Sequence, residues 1–257
     1  MTRTKLLFAM LASASALALA GCGGEGPPPS DEVVIHRGNN AEPLSLDPHK
    51  ASGTWENNII GDMFVGLFTE DPDAHPVPGM AESWEVSDDS LTWTFHLRES
   101  YWSDGEPVTA GDFVYAWRRI ANPETGAQYV SLLYPVVGMA AVSRGEAPPE
   151  AIGVIAVDDR TLEIHLENPA PYLPGLLTHY TTFPLPQHIV EQFGDEWVRP
   201  ENIEVNGPYK LIDWRTNNFV HLSRNSYFFD DANSCIDEVY YYPTVDNSAA
   251  GRRVRNG

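Results

Sequence analysis

The sequence predicts a mixed α/β fold, of the α+β kind, in two connected lobes. Short strand-like and helix-like segments alternate along the chain without a repeat, an order typical of α and β elements packed in layers. The 257 residues are enough for one or two domains. Strand patterns return at residues 209–212, 219–223 and 239–242, which indicates a second sheet region late in the chain.

The first predicted elements are a strand and a helix. Residues 33–35 form a short β-branched run, which is typical of a strand. Across residues 56–67 apolar side chains recur at helical spacing, and Thr54 stands where an N-cap is expected. The apolar positions of this predicted helix are Ile59, Ile60, Met63, Phe64 and Leu67.

The clearest strand lies at residues 91–98, where apolar and polar residues alternate with the period of a half-buried strand. A second pair of strands is predicted at residues 152–157 and 161–166, joined by a turn into a hairpin. A helix around Leu176 follows. These segments predict the sheet of the middle region.

One helix between these strands has its start signal in the sequence. The turn at residues 103–105 is followed by Thr109 and, three residues later, Asp112, the spacing of a capping box. The helix that begins there is expected to bury three large apolar side chains, Phe113, Val114 and Trp117.

Composition excludes several classes of protein. A content of 42% hydrophobic and 11% aromatic residues excludes a largely disordered chain. With 16 basic and 36 acidic residues the formal net charge is -20, which would repel a phosphate backbone, so nucleic acid is not expected as a partner. Two cysteines cannot form a disulfide scaffold or a four-thiolate zinc site.

The N-terminus predicts export. Arg3 and Lys5 precede an apolar run at residues 6–20 that is too short to span a bilayer, which is the layout of a signal peptide. The run ends in L-A-G-C, which resembles the bacterial lipobox, so residues 1–21 are expected to be removed and Cys22 to be acylated. Residues 22–31 then form a flexible tether. Alternatively, the signal is an ordinary secretory one and Cys22 only neighbours the cut.

No catalytic motif was found. The sequence contains no H-E-x-x-H, G-x-S-x-G, P-loop or G-x-G-x-x-G pattern. His49 and His75 stand beside Pro and Asp in turns, where a solvated or loop-pinning role is expected, and Cys235 is expected to be a small buried residue. We therefore predict no catalytic residue, no metal site and no cofactor, which favours a binding protein over an enzyme.

Several motifs in a fixed order resemble one family. They are LSLDPHKASGTWENNIIGDMFVGLF from Leu44, PGMAESWEVSDDSLTWTFHLRESYWSDGEPVTAGDFVYAWRR from Pro78, and N-G-P-Y from Asn206. Together they resemble the family 5 solute-binding proteins of bacterial ABC importers, and among these the oligopeptide-binding members. The resemblance is to the N-terminal half of such a receptor.

The resemblance implies a periplasmic-binding-protein-like class II fold, in which two lobes close over an extended peptide. On this basis residues 32–64 plus 188–257 are expected to form lobe I, which is incomplete, with residues 65–187 as an inserted small domain. The second lobe is expected to be missing, and the last residues, with Arg252 and Arg253, resemble an interrupted helix. Negligible peptide affinity is therefore expected of this chain alone.

The resemblance also implies candidate ligand contacts. The loop after D-P-H-K lies beside the ligand in the family, which carries over to Ser52, Gly53 and Thr54. Gly53 would let a ligand backbone approach closely. Ser52 stands where the family's best-known member has an acidic residue, so a charge-based preference at this position is not carried over. Tyr129 matches a ligand-contacting aromatic residue, and a plain packing role for Tyr129 is the alternative.

The function that the resemblance implies is that of a substrate-binding lipoprotein, and not an enzyme. It would be a monomer, held at a lipid membrane in the periplasm or cell envelope through acylated Cys22. It would capture oligopeptides and deliver them to the transmembrane subunits of an ABC permease. Two alternatives stay open: the same fold binding a nickel chelate, haem, an opine or an oligosaccharide, and an envelope scaffold or chaperone.

Overall fold

The structure is a computed structural model that describes residues 32–245, 248 and 251. The described residues contain ten strands: β1 Val34–Gly38, β2 Phe68–Glu70, β3 Pro76–Pro78, β4 Ala81–Val86, β5 Thr92–Leu97, β6 Val154–Asp158, β7 Thr161–His165, β8 Tyr209–Arg215, β9 Phe219–Arg224 and β10 Glu238–Tyr242. The α-helices between residues 32 and 245 are α1 Thr54–Met63, α2 Ala110–Ala121, α3 Met139–Ser143, α4 Leu173–Leu176 and α5 Gln187–Phe193. The predicted mixed fold is confirmed.

Some predictions fall outside these residues. The signal peptide at residues 1–21, the acylated Cys22 and the tether at 22–31 lie outside the described part of the chain, and so do Arg252 and Arg253 at the other end. Within the described part, no helix is long and apolar enough to span a membrane.

The late strands form one four-stranded sheet in the order β1-β10-β9-β8. The pairs β10-β9 and β9-β8 are antiparallel, whereas β1 lies parallel to β10, with Ile35 opposite Val239. The predicted late sheet is therefore confirmed. One edge strand of this sheet, β1, comes from the other end of the chain. Periodicity alone does not indicate this pairing.

The middle strands form a second, antiparallel four-stranded sheet in the order β4-β5-β7-β6. Trp93, Phe95 and Leu97 of β5 are buried while the residues between them are partly exposed, as the alternating pattern predicts. The predicted hairpin is β6 and β7. The buried side chains of this sheet form much of the core. Helix α2 packs on the sheet through contacts with β6.

Helix α2 begins as its start signal predicts. The Thr109 amide donates to Asp112 Oδ2 over 2.8 Å, which satisfies one of the N–H groups that the helix start leaves without a partner. Phe113 and Trp117 are fully buried, and the Trp117 indole donates to the Thr182 carbonyl oxygen over 3.0 Å. Helix α2 thereby joins the middle sheet to the segment near residue 182.

Helix α1 differs from its prediction at both ends. Its N-cap is Gly53, not Thr54, because the Glu56 carboxylate accepts the Gly53 N–H over 2.7 Å. It ends at Met63 rather than at residue 67. The reason lies far along the chain: the Asn206 side-chain amide bonds both the N–H and the carbonyl oxygen of Val65, at 3.0 and 2.9 Å. These bonds replace the helical ones, so the chain leaves the helix.

Cys235 is exposed, so its predicted burial is wrong. In the loop before β10 the neighbouring Ile236 packs against the core, and Cys235 therefore points away from it. The predicted helix around Leu176 is the single turn α4. The boundaries of lobe I and of the inserted small domain stay a prediction.

Candidate ligand-binding loop

Two of the candidate residues meet in the structure although they are distant in sequence. The Tyr129 hydroxyl donates to the Ser52 carbonyl oxygen over 2.9 Å, across a separation of 77 residues. Ser52 and Thr54 are exposed, whereas Gly53 and Tyr129 are half-buried. The four candidate residues thus lie together, because Tyr129 holds the loop at residues 51–54.

Two further residues that were not among the candidates, His179 and Tyr180, also contact this loop or Tyr129. The Tyr180 hydroxyl donates to the Ala51 carbonyl oxygen over 3.2 Å. The His179 ring stacks on Tyr180, with 4.3 Å between ring centroids, and contacts Tyr129 edge-on at 5.3 Å. Nothing in the H-Y pair of the sequence indicates this contact, because only the fold brings residues 179–180 to the loop.

Burial affects both of these side chains. Desolvation lowers the pKa of His179, which favours its neutral form. Its Nδ1 accepts the Thr181 N–H over 3.3 Å, so in the neutral ring the proton lies on Nε2. Desolvation also raises the pKa of Tyr180, so its hydroxyl remains a donor to Ala51. The stacked pair of His179 and Tyr180 is therefore uncharged near neutral pH.

Contacts within the loop explain why glycine stands at position 53. A Cβ at this position would lie 2.5 Å from the Glu56 carboxylate and 2.5 Å from the Trp55 ring. Any side chain would therefore disturb the cap of helix α1. Close approach by a ligand backbone stays a prediction for Gly53.

The loop continues from a buried ion pair that the sequence analysis did not predict. Asp47 accepts two hydrogen bonds from Arg119, at 3.1 Å to Oδ1 and 2.6 Å to Oδ2, in the bidentate geometry that suits a guanidinium. Arg119 also donates to His49 Nδ1 over 2.9 Å. The Trp197 indole N–H contacts Asp47 Oδ2 at 3.4 Å. These contacts hold the D-P-H-K segment against helix α2.

His49 is 1% exposed, so the solvated role is wrong and the loop-pinning role is confirmed. Desolvation lowers its pKa to about 3, and the neighbouring Arg119 acts in the same direction. Desolvation would raise the pKa of Asp47, but the hydrogen bond and charge of Arg119 outweigh it and keep that pKa below 3.8. The group is thus an ionised carboxylate and a guanidinium beside a neutral imidazole.

Two clusters could suggest enzyme or metal chemistry. His188 pairs with Asp104 over 2.7 Å, but the nearby Ser103 hydroxyl donates to Glu204 and not to an imidazole, so it is not arranged as a nucleophile beside its base. A turn at residues 71–75 brings two carboxylates and an imidazole within 4.8 Å of one another. There the Asp71 carboxylate already accepts backbone N–H groups at 2.9 Å, as in an ordinary turn.

The chain is similar to known proteins over most of its length. The family described as "Bacterial extracellular solute-binding proteins, family 5 Middle" matches residues 75–257. The periplasmic oligopeptide-binding protein OppA of Salmonella typhimurium is 43% identical over 231 residues, which cover 89% of this chain and 42% of OppA. The periplasmic murein peptide-binding protein MppA of Escherichia coli is 36% identical over 252 residues, which cover 97% of this chain and 47% of MppA.

Solved structures show the same likeness. The complex of Haemophilus influenzae OppA with the peptide RPPGFSPFR has a TM-score of 0.86 and 41% identity, over 89% of this chain and 45% of that one. The chain thus spans less than half the length of these relatives. Because the family match covers well over half of its residues, the chain belongs to the family 5 bacterial extracellular solute-binding proteins.

Proposed function

We propose that this chain supplies one wall of the ligand cleft of an oligopeptide receptor, with Ser52, Gly53, Thr54 and Tyr129 beside the ligand. The observation that carries the proposal is the anchoring of residues 51–54 by two tyrosine hydroxyls. Because Ala51 and Ser52 already use their carbonyl oxygens, the loop is fixed before a ligand arrives. A preorganised loop loses less conformational entropy on binding.

The free groups of this loop suit a peptide main chain. Within the described residues, the N–H and the hydroxyl of exposed Ser52 have no hydrogen-bond partner. Peptides of varied sequence share only their backbone and their ends, so a receptor for many peptides must bind the main chain. Ser52 offers donors for peptide carbonyl groups, while the rings of Tyr129 and His179 offer apolar surface beside them.

The proposal extends to the cellular role. The protein would be an exported lipoprotein, acylated at Cys22 and held in the periplasm or cell envelope. It would bind peptides without cleaving them and deliver them to the transmembrane subunits of an ABC permease. The N-terminal signal pattern and the periplasmic, peptide-binding relatives support this role. The proposed organisation keeps residues 65–187 as a small domain inserted between 32–64 and 188–257.

Nuclear magnetic resonance can test the binding site in this chain. The chain from residue 32 onward, labelled with ¹⁵N, would be titrated with a mixture of tri- to pentapeptides at millimolar concentration, where weak binding is still visible. We expect amide shifts at residues 52–54 and near Tyr129, and intact peptides by mass spectrometry. Shifts confined to other surfaces, binding at micromolar peptide concentration, or cleaved peptides would contradict the proposal.

One relative supports a second ligand class. The probable deoxycholate-binding periplasmic protein YgiS of Escherichia coli is 35% identical over 260 residues. The partly exposed aromatic side chains of Tyr129 and His179 would also suit an apolar ligand. A parallel titration with deoxycholate distinguishes the two classes, since a bile acid should shift the aromatic resonances more than the Ser52 amide. Nickel chelates, haem, opines, oligosaccharides and a scaffold or chaperone role remain lower alternatives.

A further inference from the structure

A cavity of about 430 Å³ lies beside the buried ion pair and does not include the candidate loop. It is formed by the last turns of helix α2, the residues that follow that helix, and the side chains of Lys50 and Asp195. Its volume lies within the range of small-molecule sites. None of residues 51–54 lines it, and neither does Tyr129, so it is separate from the proposed peptide site.

Three cationic side chains line this cavity, and two of them are engaged. Arg119 is bound to Asp47, and Lys50 pairs with Asp195 over 2.7 Å in a largely exposed contact. Arg118 has no carboxylate partner among the described residues, and its Nε is buried without a hydrogen-bond acceptor. A buried donor without an acceptor destabilises a fold, so a ligand that takes hydrogen bonds from the partly exposed Arg118 guanidinium would be favoured here.

The other lining groups favour an anion. Tyr115 and Asn122 also line the cavity, and neither the Tyr115 hydroxyl nor the Asn122 amide nitrogen donates to another described residue. Its two carboxylates, Glu124 and Asp195, are exposed, where solvent screens their charge. Lys50 can turn from its exposed pair, because such pairs contribute little to stability. The cavity therefore presents more donors than acceptors.

We propose that this cavity binds a small oxyanion, a carboxylate or a phosphate, through the Arg118 guanidinium with help from Lys50. A planar guanidinium binds either oxyanion through two parallel hydrogen bonds. The chain has a formal charge of -20, yet Arg118 lines this cavity without a carboxylate partner in the described part of the chain. A bound oxyanion would supply that partner.

The test follows the arginine side chains directly. The full chain, labelled with ¹⁵N in arginine, would be titrated with sodium phosphate and, separately, with sodium citrate, against sodium chloride at matched ionic strength. We expect the Arg118 Nε–H resonance to move in a saturable way with phosphate, with citrate or with both. The more tightly bound of the two identifies the class of oxyanion.

Matched variants complete the test. Binding to the variants would be followed through the Nε–H resonance of Arg119, which also lines the cavity. Arg118→Gln should weaken binding about tenfold or more, as expected for a lost charge-assisted contact, and Lys50→Gln should weaken it less. Arg215→Gln is the matched control. Arg215 lies on β8, outside the cavity, and pairs with Asp213, so its replacement should leave binding unchanged. A linear response like that to chloride, or equal binding by the Arg118 and Arg215 variants, would overturn the proposal. Arg118→Lys, with its charge kept, checks that a loss is not due to misfolding.

Discussion

The Tyr129 hydroxyl holds the Ser52 carbonyl oxygen at 2.9 Å, and so joins two segments that lie 77 residues apart. The bond connects the segment after helix α2 to the loop before helix α1. The Tyr180 hydroxyl repeats the arrangement one residue earlier, at Ala51. A loop held in this way by two side chains can present its remaining polar groups to a ligand in one conformation.

Replacing Tyr129 by Phe should loosen the loop with little effect on global stability. The substitution removes the donor to Ser52 but keeps the ring, and because the site is half-exposed water can take the place of the hydroxyl. We expect a loss of at most about 1 kcal/mol in unfolding free energy, with faster amide exchange at residues 51–54.

Tyr172→Phe is the matched control for this variant. Tyr172 is 58% exposed, and its hydroxyl has no hydrogen-bond partner among the described residues. Its replacement should leave exchange at the loop unchanged. Equal exchange in the two variants would show that the Tyr129 bond does not hold the loop.

Replacing Gly53 by Ala should destabilise the start of helix α1. The new Cβ would lie 2.5 Å from the Glu56 carboxylate, so the carboxylate must move and the cap is weakened. We expect a loss of about 1–3 kcal/mol in the free energy of unfolding, measured with denaturant. Gly61→Ala is the opposite case, because nothing lies within 4 Å of a Cβ there.

Gly61 is exposed in the middle of the same helix, so Ala at that position should stabilise the protein by about 0.5–1 kcal/mol. The two substitutions are chemically identical, which makes the sign of their difference decisive. A Gly53 variant as stable as the wild type would mean that the crowding in the loop relaxes without cost.

Replacing Arg119 by Met should be among the most destabilising single changes. It leaves the Asp47 carboxylate buried without its cation, and removing one partner of a buried pair costs about 3–5 kcal/mol. Arg144→Met, which breaks the exposed pair of Arg144 and Glu146, should change the thermal midpoint little.

A double variant separates the pair from its surroundings. Asp47→Leu combined with Arg119→Met removes both charges, so part of the lost stability should return. No recovery in the double variant would show that Asp47 acts mainly through its contacts with His49 and Trp197 and not through Arg119.

Stability should fall as the pH falls, and His49 should contribute to the slope. Its pKa is about 3 in the folded protein and near 6.5 when unfolded, so between these values the unfolded chain binds the extra proton. The stabilisation is therefore complete above pH ~6.5 and is lost toward pH ~3, with a slope of at most about 1.4 kcal/mol per pH unit.

The slope is best measured between pH ~4.5 and ~6.5, above the range in which Asp47 takes up its proton. His49→Gln keeps an acceptor for Arg119 but cannot titrate, so its stability should vary less with pH than that of the wild type. His75→Gln, which replaces a histidine on an exposed turn, is the matched control variant. Parallel slopes for wild type and His49→Gln would contradict the assignment.

The elements whose signals lie within a few residues could be predicted from the amino-acid pattern alone. The alternation of β5 and the capping box of α2 need no partner to be recognised, because each reflects which side faces the core or which backbone group lacks a bond. The motif order from Leu44 and Pro78 likewise indicated the family before the fold was known. The candidate residues Ser52 and Tyr129 came from that resemblance and not from periodicity.

Features that depend on partners distant in sequence became visible in the folded chain. Helix α1 ends where Asn206 takes over the backbone bonds of Val65, and β1 becomes the neighbour of β10 at the other end of the chain. His49 lies in a segment that resembles an exposed turn, yet the fold buries it and brings Arg119 to its ring. Such contacts depend on three-dimensional proximity, and no local pattern of polarity or propensity records which residues the fold will bring together.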